Sequence, residues 1–207
     1  MDLQDVDKTP LHRPLACATL KDLPSFCLGS QGPIMPKVPD PLALVYSDKA
    51  FAGQLPVALL NTFNTNNRIN QYLIDNLPAA AWNAPAPGGK GRTIRAIVAH
   101  MHNVRVMWLK VANKDGQIPE SLNRATATPK QALHALEKSR HALSVVISGA
   151  LEDNGRIKGF RPDVAGFLGY LISHDAHHRG QIAMLARQVG HPLPQKAMFG
   201  MWEWGSR

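Results

Sequence analysis

Two histidines four residues apart, His174 and His178, have the residue type and spacing best suited to chemistry in this sequence. They lie in a long segment with the apolar period of an α-helix. A spacing of four places them about 40° apart in azimuth and one turn apart along the axis. Two imidazoles held in this way can present nitrogens to one cation. The spacing therefore predicts a metal site, with a further ligand supplied by another helix.

A third imidazole is available from a second helical segment, which carries His100 and His102. These two residues are about 200° apart on a helix, so both cannot serve one interior site. Their positions alone barely indicate which of the two is the ligand. His177 points away from the apolar stripe of its segment, and we interpret it as a solvated or structurally satisfied histidine. Four other histidines have no partner at ligand spacing: His12, His134, His141 and His191.

Several neighbours of this histidine pair have two interpretations each. Asp175 projects inward, where it either orients a ligand imidazole or pairs with an Arg or Lys across the bundle. Arg179 either binds an anionic substrate group or is a surface arginine. Gln181 is a candidate hydrogen-bond partner near the metal. The following tryptophans are interpreted first as packing residues, and the last two also as a candidate pocket wall: Trp108, Trp202 and Trp204.

Four apolar-periodic segments supply the helices that must position these side chains. They cover about residues 49–77, 93–113, 129–151 and 162–190, with Pro56 as an alternative start of the first. Thr93 and Thr128 are typical N-cap residues, and Pro129 suits the first position of a helix. Four helices of this length joined by loops predict an all-α four-helix bundle, whose core can hold a metal site built from facing helices.

Composition separates an N-terminal extension from this bundle. Residues 1–48 contain seven prolines and no helical or strand period, so they are predicted to be irregular or disordered beside a domain at 49–207. No apolar run is long enough to cross a membrane, and neither a secretory signal nor a cysteine framework is evident, which favours the cytoplasm. The net charge is +8, but the scattered Lys and Arg make nucleic acid an unlikely partner.

These motifs resemble the DinB/YfiT-like superfamily of bacterial four-helix proteins. The matching residues are Ile97-Val98-Ala99-His100 in the second helix and His174-Asp175-Ala176-His177-His178-Arg179-Gly180-Gln181 in the fourth, with a similar ending at Met201-Trp202-Glu203-Trp204-Gly205. The resemblance covers residues 49–207 and implies a metal site made of His100, His174 and His178. It also implies a homodimer and metal-activated transfer or isomerisation that uses a low-molecular-weight thiol.

Three neutral imidazoles leave a dication its full charge and at least one open coordination position, which is typical of a catalytic site. Imidazole suits Zn, Ni and Fe alike, so the metal's identity stays open. Such an ion would activate water or a thiol to act on a small-molecule substrate. The alternative is a non-catalytic stress-response module, with a structural metal or none, that uses its basic surface for a partner. The family's name, which records damage-inducible expression, is not evidence of DNA chemistry.

Overall fold

The computed structural model describes residues 49–113 and 116–207, with side chains from Gly53 onward. The proline-rich segment 1–48 lies outside the described residues. The helices, in chain order, are α1 (Lys49–Asp75), α2 (Ala79–Asn83), α3 (Ile94–Ala112), α4 (Pro129–Glu152), α5 (Val164–Gln188) and α6 (Gln195–Gly200). The described part of the chain contains no strand, and the predicted all-α four-helix bundle is confirmed.

The helix boundaries follow local signals in the sequence. The side chain of Thr93 accepts a hydrogen bond from the backbone N–H of Ala96, and Thr128 forms a reciprocal capping box with Gln131. The side chain of Asp163 caps α5 by accepting a hydrogen bond from the backbone N–H of Gly166. The first helix ends at Asp75, two residues earlier than expected, and it runs through Pro56 instead of starting there.

Packing between the four long helices forms a closed bundle, in which α4 and α5 each pack against both α1 and α3. Its apolar core consists of two clusters. One contains residues from the C-terminal half of α1 and the N-terminal half of α3, including Leu73, Ile97 and Met101. The other lies toward the opposite ends of those helices and includes Phe63, Leu109 and Phe167. In the described residues, no helix is both long and apolar enough to cross a membrane.

A layer of buried polar residues separates the two apolar clusters along each helix. We call it the polar layer, and it comprises Asn66, Asn67 and Asn70 of α1, His102 and Arg105 of α3, Ser139 of α4, and Asp175 and His178 of α5. Each of these residues lies in sequence between apolar residues that belong to the two different clusters. Buried polar groups are costly unless they are paired. A layer of them midway along the bundle therefore indicates a candidate functional site.

Candidate metal centre

Three imidazoles from two helices converge beside the polar layer. His100 comes from α3, and His174 and His178 come from α5; together they form the histidine cluster. Their ring centroids are 4.5 Å (His174–His178), 4.8 Å (His100–His178) and 5.3 Å (His100–His174) apart. One nitrogen of each ring lies within 4.8 Å of the others, so the three residues could hold a metal ion. His178 is buried, whereas His100 and His174 are half-buried, which leaves the cluster open on one side.

Gln181 fixes the orientation of one of these rings. Its Oε1 lies 2.8 Å from Nδ1 of His178. Because an amide oxygen only accepts hydrogen bonds, this contact selects the tautomer with the proton on Nδ1 and leaves the lone pair on Nε2. That Nε2 lies 3.2 Å from Nε2 of His174. The hydrogen bond anticipated for Gln181 is therefore made to His178, at the nitrogen that faces away from His174.

The remaining ring has a polar atom without a partner. Nδ1 of His100 is buried and makes no hydrogen bond among the described residues. An unpaired buried polar group costs about 1–3 kcal/mol, so such atoms are rare unless something else satisfies them. A lone imidazole nitrogen beside two others, without an acidic or amide partner, has the donor chemistry of a transition-metal ligand. The residues present therefore fit a metal ion.

The protonation state of the imidazoles also favours metal binding by the cluster. Burial lowers the pKa of His100 to about 4, and the neighbouring His178 and Arg92 add to this effect. Burial likewise lowers the pKa of His178, although the hydrogen bond to Gln181 acts in the opposite direction. Both imidazoles are therefore neutral at pH 7, and the neutral ring is the form that binds a cation.

Asp175 lies beside the cluster and forms a buried ion pair. Its Oδ2 is 2.8 Å from Nη2 of Arg105, and it also accepts hydrogen bonds from the side-chain amides of Asn66 and Asn70. Burial by itself would raise the pKa of Asp175, but the Arg105 guanidinium and the hydrogen bond from Asn70 hold this pKa below its usual range. Oδ1 lies 3.8 Å from Nδ1 of His174, beyond hydrogen-bond distance. Of the two interpretations of Asp175, the ion pair is the one that the geometry shows.

Arg179 belongs to the same network. Its Nη1 donates to Oδ1 of Asn66 at 2.8 Å and to Oδ1 of Asn70 at 2.6 Å. The two amides thus connect Arg179 to Asp175, since each donates to the carboxylate and accepts from the guanidinium. Burial lowers the pKa of Arg179, while Asp175 opposes the shift. Arg179 is half-buried, and its guanidinium is hydrogen-bonded to two side chains of α1. Binding of an anionic substrate group by Arg179 stays a prediction.

The other two histidines of the motifs lie outside the cluster. His102 is fully buried, and its ring nitrogens contact Oγ of Ser139 at 3.2 Å and the carbonyl oxygen of Glu120 at 2.8 Å. Both nitrogens are therefore used in the core of the bundle. His177 is exposed, as its azimuth predicted, and neither residue belongs to the group that could hold a metal.

Aromatic residues form one wall of the centre, and the sequence analysis did not single out the nearest of them. Tyr170 stacks on His174 at a centroid distance of 6.0 Å, and it continues into an edge-to-face cluster with Trp108, Phe160 and Phe167. Its position four residues before His174 was the available signal. Trp108 packs as expected, but Trp202 is 80% exposed and so is not the packing residue that the sequence predicted.

A cavity of about 380 Å³ adjoins the cluster through Gln181. Its lining includes Lys90, Arg92, Ile97, Gln181, Met184 and Leu185. A larger cavity of about 1040 Å³ lies along α4 and contains none of the three clustered histidines. The smaller cavity is within the size range of small-molecule sites. None of the three histidines lines it either, but its lining residue Gln181 contacts His178.

The comparisons with known proteins agree with this architecture. The family model described as the DinB family matches residues 47–204, a range that includes the four long helices and all three clustered histidines. No curated protein and no solved structure matches the chain. Because the family model covers about three quarters of the sequence, the chain belongs to the DinB family.

Proposed function

We propose that this protein is a metal-dependent enzyme in which His100, His174 and His178 bind a divalent transition-metal ion, either Zn, Ni or Fe. The reaction is transfer or isomerisation of a small molecule, with a low-molecular-weight thiol or water as the activated group. The observation that carries the proposal is the unpartnered, buried Nδ1 of His100 beside two more imidazoles. A packing role would have given that atom a hydrogen-bond partner, as it did for His102.

The donor set favours catalysis over a purely structural role. Four protein ligands normally close a structural zinc site, whereas three imidazoles leave room for another molecule. When bound, a divalent ion would supply Lewis acidity that lowers the pKa of a thiol or water reaching its open coordination position. Gln181 holds His178 in the ligand tautomer, and Tyr170 limits the movement of the His174 ring. The half-buried state of His100 and His174 gives a substrate access from one side.

A thiol-transfer assay tests the reaction class. Metal-loaded protein is expected to accelerate the displacement of chloride from 1-chloro-2,4-dinitrobenzene by 2-mercaptoethanol. In that reaction a sulfur–carbon bond forms, chloride leaves and the thiol proton passes to the buffer. Absorbance of the thioether product measures the rate. Chelator-stripped protein is expected to lose the acceleration and to regain it when Zn, Ni or Fe is restored.

The matched control is His177→Ala, because His177 is exposed on the same helix and outside the cluster. Its rate is expected to equal that of the native protein. A protein that binds stoichiometric metal yet accelerates neither this reaction nor the hydrolysis of an activated ester would contradict the enzymatic proposal. That outcome would favour the non-catalytic binding module instead.

Three further expectations belong to the same proposal. The division into an extension at 1–48 and a metal-binding domain at 49–207 stays a prediction, as does the cytoplasmic location. We also propose a homodimer, supported by apolar residues that α1 and α4 leave exposed, of which Val57 is 59% and Val145 is 57% exposed. Sedimentation at micromolar concentration is expected to give a dimer, and a monomer alone would refute that part.

A further inference from the structure

We propose that the thiol carries a carboxylate, and that a cationic rim made of Lys90 and Arg92 binds this group beside the metal centre. The inference rests on the proposed function and adds the substrate class to it. Both rim residues are exposed, and they have no ion-pair or side-chain hydrogen-bond partner within residues 53–113 and 116–207. Unpaired cations at the entrance of a small cavity are suited to binding an anionic ligand.

The position of the cavity connects the rim to the reactive centre. Lys90 and Arg92 line the cavity of about 380 Å³ together with Gln181. Gln181 in turn contacts His178 at 2.8 Å, so a single side chain separates the cavity from the cluster. Ile97, another lining residue, lies three residues before His100 on α3. A ligand that extends from this cavity past Gln181 would have one end at the cationic rim and the other at the imidazoles.

The charge balance around the cavity is positive. Its lining contains Lys90 and Arg92 but no carboxylate among the described residues. The carboxylate nearest to the imidazoles, Asp175, is already paired with Arg105. It therefore does not neutralise the rim.

The backbone before α3 brings the rim residues to this position. Gly89 and Gly91 have φ angles of 68° and 95°, which glycine adopts readily and other residues rarely do. These turns place Lys90 and Arg92 immediately before the N-cap Thr93, at the end of the helix that carries His100. The partial positive charge at the start of α3 adds to the field of the two side chains.

The inference can be tested with matched thiols on cobalt-loaded protein, in which visible absorption reports thiol binding at the metal. The probes are 3-mercaptopropionate with 3-mercapto-1-propanol, and 6-mercaptohexanoate with 6-mercapto-1-hexanol. Each pair differs in a carboxylate, and the two lengths allow for different distances between metal and rim. The ratio of the two dissociation constants within a pair is compared between native protein and Arg92→Gln. Comparing ratios cancels differences in the intrinsic acidity of the thiols.

Arg92→Gln is expected to reduce the preference for the carboxylate by about fivefold in at least one pair, the size of an exposed ion pair at its upper limit. Binding of the alcohol is expected to stay unchanged. Arg156→Gln is the matched control, because Arg156 is an exposed arginine in the loop before α5. The first residue of that helix, Val164, already lies about 25 Å along its axis from Gln181.

The two levels of the proposal fail in different ways. If none of the four thiols alters the cobalt spectrum, the metal centre does not bind thiols, and the thiol-dependent form of the proposed function is wrong. If both thiols bind but their ratio is the same in native protein, Arg92→Gln and Lys90→Gln at both chain lengths, the thiol-binding function stands and the cationic rim is refuted. A reduced ratio in Arg92→Gln with an unchanged ratio in Arg156→Gln supports the rim.

Discussion

Replacing His178 with alanine is expected to lower the metal content of the purified protein from about one ion per chain to nearly none. His178 is the most buried member of the cluster and the one whose tautomer Gln181 fixes. Its removal leaves two imidazoles from different helices. Loss of a residue that merely orients a ligand weakens metal affinity by about 10–100-fold, and loss of the ligand itself should have a larger effect. Elemental analysis after dialysis measures the result.

The neighbouring His177→Ala variant is the control for this experiment. Both substitutions remove an imidazole from the same stretch of α5, but His177 is exposed and is not one of the three clustered residues. Its metal content is therefore expected to match that of the native protein. Circular dichroism establishes that each variant remains helical. A folded His178→Ala protein that retains a full equivalent of metal would remove this residue from the site.

His100→Ala extends the same test to α3. The contribution of a second helix is what distinguishes a bundle-core metal centre from a simple pair of histidines on one helix. Retention of metal in His100→Ala, together with its loss in His102→Ala, would show that the third ligand is His102 and not His100. The hydrogen bonds of His102 to Ser139 and Glu120 argue against that result, since both of its ring nitrogens are already used.

Helical periodicity predicted the framework and the α5 histidines, because both depend on local spacing. His174 and His178 follow the four-residue rule, and their rings are 4.5 Å apart. The choice between His100 and His102 could not be made from azimuths, because it depends on a loop. The carbonyl of Glu120 accepts a contact from His102 across 18 residues of sequence, and no periodic pattern encodes that pairing.

Other features were not predicted for equally physical reasons. The helices α2 and α6 contain five and six residues, too few to show a repeating apolar pattern. Asn66 and Asn70 have the composition of a solvated helix face, yet both are fully buried because they join Asp175 to Arg179. Arg92 was counted only as part of a scattered basic surface. The glycine-rich turn places it in the lining of the same cavity as Gln181.

The polar layer links stability to the metal centre through Asp175. This carboxylate is adjacent in sequence to His174, and it is held by a guanidinium and two amides from other helices. The arrangement fixes the rotation of α5 relative to α1 and α3, because a small rotation would break several charge-assisted hydrogen bonds together. The same rotation sets the direction in which His174 and His178 project. A buried network of this kind gives the cluster its geometry at the expense of apolar packing.

Arg105→Met is accordingly expected to reduce the free energy of unfolding by about 3–5 kcal/mol, because it leaves the Asp175 charge buried without its partner. Asn67 and the carbonyl of Leu136 also lose the hydrogen bonds that Arg105 donates. Urea unfolding of the metal-free protein measures the change, so that loss of metal does not contribute to it. The matched control is Arg140→Met, which breaks the partly exposed pair with Glu137. It should cost no more than about 1 kcal/mol.

A second variant separates the unpaired charge from the lost packing. Asp175→Asn combined with Arg105→Met removes both charges while keeping a side chain able to bond Asn66 or Asn70. If the buried charge is the main cost, this double variant will be more stable than Arg105→Met alone, although it carries one more substitution. Equal or lower stability would show that the shape and hydrogen bonds of the guanidinium matter more than neutralisation. In that case the main role of Arg105 would be to join α3 to α1, α4 and α5 through its hydrogen bonds, and the ionisation of Asp175 would be secondary.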